Sequence, residues 1–238
     1  KGFEGTCAQA GVDLAVVLNR GNIGCSTSRN QGIARARGKK VVFVDNDVAL
    51  RSRTWLAAMG ACLDADASAA FVGPKILYPL PPHDIQCAGA AVSRSGRVQF
   101  IGRGEYRNDP RFNVRREVQC LISACLMAKK SVLDAIGGFD EAFNPVEYED
   151  IDLCYRARSR GHRVLYEPGV EMYHFESVTT AGTPALPNTY LIIKHGMLFK
   201  KRWRKMFEKE DGPGDAETRG RRIETRRFDQ VGELPVVD

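Results

Sequence analysis

Four groups of residues in this chain have the types and spacing to do chemistry. In VVFVDNDVAL (41–50) an apolar run leads straight into Asp45, Asn46 and Asp47. Carboxylates at the end of a buried strand are costly unless a positive group pairs with them. Two of them one residue apart can turn toward one hard divalent cation, Mg²⁺ or Mn²⁺, whose remaining shell is water and phosphate oxygen. They can equally form a turn that caps the next helix. The second group is EYEDIDLC (147–154), with four acids in six residues. The helix dipole favours acids at a helix start, which is the common, non-catalytic account of such a run. Glu149 and Asp152, three apart, share a helical face while Asp150 points elsewhere. Crowded carboxylates repel, and the raised pKa that follows suits a general base.

The third group is His174, which ends the apolar stretch EMYHFES. A lone His is more often a satisfied core or surface residue, and it gains meaning if it faces the two aspartates, because imidazole ligates Mn²⁺-type ions. The fourth is NRGNIGCSTSRNQG (19–32). Gly21 and Gly24 permit tight turns, and the helix that follows presents N–H groups suited to phosphate. Arg29 and Asn30, one turn into that helix, are in reach of a diphosphate or of the aspartates. No Gly-Lys-Ser/Thr follows, so this is not a P-loop.

Alternating elements must position these groups. DLAVVLN (13–19) reads as a buried strand, and STSRNQGIARARG as a helix with Ser or Thr at its N-cap. KVVFVD is the next strand, SRTWLAAMGACLDAD a helix from near Ser52, and SAAFVGPKIL a strand stopped by Pro74. This β-α-β-α-β order predicts a mainly parallel sheet with helices on both faces, and ligands of such sheets bind beyond the C-terminal strand ends, where Asp45 and Asp47 lie. Residues 78–116, broken by prolines and glycines, read as a small hairpin excursion. A strand (VQCLISACLMAKK), two helices (SVLDAIGG and DIDLCYRARSRG) and two closing strands (HRVLYEP and VEMYHFES) follow. From about Thr179 the chain reads as loop, then helix (NTYLIIKHGMLFKKRWRKMF), then a polar, frayed tail over 208–238. The expected division is therefore 1–178, 179–207 and 208–238.

The composition, 43% hydrophobic and 27% charged over 238 residues, is that of a soluble globular domain. No run of 18 apolar residues suggests a membrane span. The start has no apolar segment of a signal peptide and no initiator Met, so the chain reads as a piece of a longer one. Seven scattered cysteines form no Cys-x-x-Cys pattern and suit a reducing, cytoplasmic compartment. The net charge of +6 resides in residues 194–227, which hold twelve Lys/Arg and six Asp/Glu; the remainder holds 23 of each sign. KKRWRK and RGRRIETRR lack any nucleic-acid recognition module, so no nucleic-acid partner is expected. Trp203, Met206, Phe207 and Leu198 among these cations suggest instead peripheral contact with the inner face of a membrane through residues 194–207. A solvated basic helix with Trp203 packed on the domain explains the segment as well.

Taken in order, NIGCSTSRNQGIARARGKKVVFVDNDV, GPKILYP and CLISACLMAKKSVLDAIGGFDEAFNPVEYEDIDLCYRARSRGHRVLYEPGVEMYHFES resemble glycosyltransferase family 2. The likeness is closest to rhamnosyltransferase-like and O-antigen-type bacterial enzymes, and it covers roughly residues 12–178. It implies a GT-A fold and transfer of a sugar, with inversion, from a nucleotide-sugar to a hydroxyl of a saccharide or lipid-linked saccharide. By the resemblance, Asp45 and Asp47 hold Mg²⁺ or Mn²⁺ against the donor diphosphate and His174 completes the metal site. Asp150 matches the general base, and its neighbour Glu149 orients the acceptor or the base. Arg29 and Asn30 match a pair beside the donor, with Asn22 and Gly24 on the same side, and Ser123 and Ala124 match the turn against the donor sugar. Family members begin with two further strands and a helix that recognise the nucleobase. Measured against them this chain is N-terminally truncated and lacks the first strands of the fold, so a non-catalytic binding or scaffolding module of a larger assembly is the alternative expectation.

Overall fold

The structure is a computed structural model that describes residues 2–175, 188–214 and 231–237. In chain order the first elements are α1 (Gly2–Gln9), α2 (Cys25–Arg35), β1 (Lys40–Val44), β2 (Val48–Leu50), α3 (Trp55–Asp64) and β3 (Ala69–Leu77). Short strands β4 (Ile85–Cys87), β5 (Ala90–Val92), β6 (Val98–Phe100) and β7 (Arg116–Glu117) follow. The chain continues through β8 (Cys125–Lys129), α4 (Lys130–Ile136), α5 (Glu149–Arg158), β9 (Arg163–His174) and α6 (Asn188–Phe207). The central sheet has the order β1-β8-β3-β9-β2, with β4 on β3 and β7 on β9. The α/β class is as expected, but the sheet is more mixed than a mainly parallel one. β3 and β9 pair in parallel, whereas β8 runs antiparallel between β1 and β3 and β2 runs antiparallel to β9. β1, β3 and β9 still point one way, as helix-connected strands must.

Alternation along the strands sorts the core onto the two faces. Phe71, Leu126, Ala128, Val164 and Tyr166 point to one side, where residues of α4, α5 and α6 cover them. Val72, Met127 and Leu165 point to the other, against Met59, Cys62 and Leu63 of α3. β3 is buried along its whole length. The 78–116 excursion is the hairpin β5–β6 with β4 joined to the main sheet.

Several expected boundaries move. Residues 13–19 form no strand: Val12, Leu14, Val16 and Leu18 are exposed, Leu18 at 89%. Hydrogen bonds between Asn19 and Gln31 of α2 and an ion pair of Asp13 with Arg37 just past that helix hold the segment, and among the described residues no ladder lies beside it. A strand needs such a ladder to satisfy its backbone. Pro74 does not stop β3; the register shifts between Pro74 and Lys75 and the pairing continues to Leu77, the bulge being how a sheet accepts a proline. The two closing strands are one, β9, which runs through Pro168 and Gly169. α2 begins at Cys25 after Gly24, with no Ser or Thr cap, and α3 begins at Trp55 rather than near Ser52. The loop expected from about Thr179 and most of the expected tail fall on residues 176–187 and 215–230, outside the described residues.

α6 packs through the apolar residues expected to reach a membrane. Phe199 and Phe207 are buried in the core, with Leu198, Trp203 and Met206 packed against it, and Phe199 meets Tyr155 of α5 edge-on at 5.1 Å. A buried acid fixes the contact. Asp152 of α5 has no exposed surface and accepts from Arg156 Nε (2.7 Å), Arg202 Nη1 (2.7 Å) and Trp203 Nε1 (2.8 Å). Asp152→Ala should therefore lower unfolding stability by about 3 kcal/mol, because it strands arginines paired with a buried charge, and should expose α6 to limited proteolysis. Urea melts and proteolysis rates check this; a loss under about 0.5 kcal/mol, the size of a surface change, would contradict it.

Candidate active site

The site is assembled at the C-terminal end of β1. Asp45 N–H donates to the carbonyl of Ala124 (2.9 Å), and Val48 N–H closes a turn onto the carbonyl of Asp45 (3.2 Å). The chain then enters β2, whose register sets Val48 opposite His174, and Phe175 N–H donates to the Asp47 carbonyl (3.0 Å). This pairing brings a residue far along the chain beside the aspartates. Asp45, Asp47 and His174 each offer a ligand atom, all within 4.8 Å of one another. His174 Nε2 lies 3.4 Å from Asp47 Oδ1. Two carboxylate oxygens and an imidazole nitrogen are a donor set that suits Mn²⁺ or Mg²⁺, so the residues present fit such an ion.

Arg29, from α2, lies between two acids. Its guanidinium donates to Asp45 Oδ1 (2.8 Å) and to Glu149 Oε1 (3.0 Å), and sits 5.3 Å from the centre of the Phe139 ring. Glu149 is buried, and its Oε2 has no hydrogen-bond partner. Burial raises the Glu149 pKa, with Arg29 opposing. Asp150 is held by backbone alone, accepting from Ser123 N–H (3.1 Å) and Ile151 N–H (2.8 Å). Burial, and then the charge of Glu149, push its pKa up to about 7, against Arg29 and those two N–H groups.

The expected face-sharing of Glu149 and Asp152 is not what places the acids. Asp152 turns away toward α6, whereas Glu149 and Asp150 both line the cleft. The cause is the turn before α5: Glu147 and Tyr148 have φ of 83° and 71°, so the first helical residues emerge at the cleft wall. The same cleft, of about 420 Å³, takes in Asn22, Gly24, Arg29, Asp45, Asp47, Ser123, Ala124 and His174.

Two expectations change. Asn30 does not line the cleft: its amide exchanges hydrogen bonds with the backbone of Phe139 (2.9 and 2.8 Å) and reaches Glu141 (3.2 Å), fixing α2 to the chain after α4. The N-terminus of α2 is likewise not a free phosphate cradle. Cys25 N–H donates to the Pro145 carbonyl (2.7 Å) and Ser26 N–H to Asn144 Oδ1 (3.1 Å), so a distant Asn does the capping. Gly24, at φ 88°, is required there, since a Cβ would fall 2.2 Å from Asn144 Oδ1. Sequence reasoning also missed Gln86 and Cys25, which line the cleft. A polar residue inside the apolar run DIQCAGAAV was the signal for Gln86; Cys25 had none beyond its neighbourhood.

The chain is similar to known proteins over most of its length. The model for glycosyltransferase-like family 2 matches residues 3–190. The chain is 30% identical over 156 residues to the pre-mycofactocin glycosyltransferase of Mycobacterium tuberculosis, covering 66% of this chain and 31% of that protein. It is 28% identical over 158 residues to the O-antigen biosynthesis protein RfbC of Myxococcus xanthus, covering 63% and 12% respectively. It thus spans a third or less of the length of these relatives. Among solved structures, GalNAc-T7 with UDP, GalNAc and Mn²⁺ superposes with a TM-score of 0.58 at 16% identity, covering 72% of this chain and 34% of that one, a likeness of fold. With its GT-A fold and with most of its length matched by one family model, this chain belongs to glycosyltransferase family 2.

Proposed function

We propose that this chain carries the catalytic centre of a metal-dependent, inverting glycosyltransferase that moves a sugar from a nucleotide-sugar to a hydroxyl acceptor in bacterial surface-polysaccharide synthesis. One observation carries the reading: a cation-ligating trio (Asp45, Asp47, His174) and a carboxyl with a raised pKa, Asp150, share one cleft. The relative named for O-antigen biosynthesis supports the polysaccharide role.

Asp45, Asp47 and His174 would hold a divalent cation, which when bound would supply Lewis-acid stabilisation to a departing nucleoside diphosphate. The chain's own residues do the rest. Asp150 accepts the acceptor's hydroxyl proton as its oxygen bonds to the anomeric carbon, and the bond from that carbon to the diphosphate oxygen breaks on the opposite face, inverting the centre. A carboxylate near pKa 7 is basic enough to take that proton and deprotonated often enough to act. Glu149, with one oxygen on Arg29, orients the base or the acceptor beside it. Arg29 holds Asp45 and Glu149 in position, while the turn at Ser123 and Ala124 lies against the donor sugar, with Asn22 and Gly24 on the donor side.

The same reading puts the enzyme in the cytoplasm, working on a lipid-linked saccharide at the membrane. Among the described residues no helix is long and apolar enough to cross a membrane. The outward face of α6 offers different anchors from those expected: Tyr190, Ile193 and Met197 are exposed beside Lys194, Lys201 and Lys205, the pairing of apolar and cationic groups that binds an interfacial helix to anionic lipid.

Three outcomes are expected. Mn²⁺ with UDP, GDP or dTDP raises the melting temperature, since a ligand of the native state stabilises it, and Asp47→Asn abolishes the rise; equal shifts in both proteins would sink the metal assignment. Asp150→Asn lowers transfer by about 100-fold or more. Because only the ionised carboxylate accepts a proton, the wild-type rate climbs with pH through an apparent pKa near 7, and this limb vanishes from the residual rate of the variant. Sedimentation with vesicles rich in phosphatidylglycerol should fall when Ile193 and Met197 are both changed to Ser, and indifference to that change rules out this face.

A further inference from the structure

We infer that Gln86 of β4 selects the imidazole tautomer of His174 and thereby presents the nitrogen that binds the cation. The inference rests on the reading of Asp45, Asp47 and His174 as a cation site. Gln86 is 1% exposed, flanked by buried Ile85 and Cys87, on a strand that no expectation connected to the site. Its amide grips His174 twice: Nε2 lies 3.0 Å from the His174 carbonyl oxygen and Oε1 lies 2.6 Å from Nδ1.

These two contacts fix the proton on Nδ1. A backbone carbonyl only accepts, so the NH₂ end of Gln86 faces it. The amide oxygen then faces the ring, and because that oxygen also only accepts, Nδ1 must carry a hydrogen. A ring that binds a cation is neutral and has one N–H, so with that hydrogen on Nδ1 it is Nε2 that offers the lone pair. That lone pair looks into the cleft, 3.4 Å from a carboxylate oxygen of Asp47. Two electron-pair donors turned toward each other repel unless a positive charge joins them, and Asp45 is the third donor around the same point. Without its amide partner the ring is free to turn or to adopt the other tautomer, which places an N–H where the cation binds. Partners of this kind orient metal-binding histidines and are worth about 10- to 100-fold in metal affinity. Gln86 is thus a positioning residue, acting through His174.

The test uses the full chain with ¹⁵N-labelled histidine at pH 8, and needs no turnover. Long-range ¹H–¹⁵N spectra, with His174→Ala for assignment, should show His174 protonated at Nδ1 in the wild type. Gln86→Leu should move the population toward Nε2–H and weaken Mn²⁺ binding, read from the free-ion electron paramagnetic resonance signal, by about tenfold or more. Gln86→Glu keeps an acceptor beside Nδ1 and should retain the Nδ1–H tautomer. A wild-type ring protonated at Nε2 overturns the inference even if neither variant folds. So does Gln86→Leu with Mn²⁺ affinity equal to wild type while Asp47→Asn has lost it, a result that leaves the cation site standing. Wild type and Asp47→Asn alike failing to bind Mn²⁺ would remove the cation site itself, and with it the role of Gln86.

Discussion

The cleft depends on one guanidinium. Arg29 is mostly buried, and its planar fork spans Asp45 at the end of β1 and Glu149 at the start of α5. Lysine, a point charge on a flexible stem, does not brace two acids in fixed directions in this way. Without a positive charge there, Glu149 and Asp150 would be adjacent buried acids, and both would be driven toward the protonated form. Arg29 relieves them unequally. It bonds to Glu149 directly but to Asp150 not at all, leaving Asp150 with two backbone N–H groups and a pKa near neutrality. Burial raises both neighbouring carboxyls, and the asymmetry lies in their partners, a guanidinium for one and backbone N–H groups for the other.

Backbone pairing does the remaining positioning. The two residues at the entrance to β8 serve both ends of the cleft at once: the Ser123 N–H binds Asp150 and the Ala124 carbonyl binds Asp45. The antiparallel β2·β9 ladder sets His174 beside Asp47, and β4, hanging from the far end of β3, delivers Gln86 to the ring. The spacing of Asp45, Asp47 and His174 thus depends on the β2·β9 register together with the turn at residues 45–47 that the Val48 N–H closes.

The parts of this that could be read from sequence are those in which one residue's type and its local run carry the information. VVFV followed by two aspartates marked a strand end, and the apolar run into His174 marked another; both are where they were expected. Strand 13–19 failed because apolar composition signals a wish for burial without naming a partner, and among the described residues β1 pairs only with β8. Asn30 and the start of α2 failed for the complementary reason. A helix N-terminus looks free in one dimension, and the chain supplied Asn144 and the carbonyl of Pro145 from more than a hundred residues away. Gln86 was visible only as a polar residue out of place, because its partner is decided by how β4 folds back.

The acid run 147–154 shows how far a helical wheel can mislead at a helix end. Spacing alone pairs Glu149 with Asp152, yet the chain enters α5 through two residues in left-handed conformation, which cost energy and persist only where the surroundings over-determine them. Here α6 supplies the surroundings. His195 sets Nδ1 against the carbonyls of Val146 and Glu147 (2.9 and 3.1 Å), Tyr148 packs on Phe199 at 5.5 Å, and a Cβ at Gly196 would lie 3.1 Å from the Tyr148 hydroxyl. Farther along, Asp152 accepts from Arg202 and Trp203, while Glu210 just past the helix binds Tyr155 and Arg158. α5 is therefore gripped along its length by the helix whose opposite face carries the exposed apolar and basic residues. The turn that aims Glu149 and Asp150 at the cleft is thus held from behind, by a helix that the cleft itself does not include among its walls.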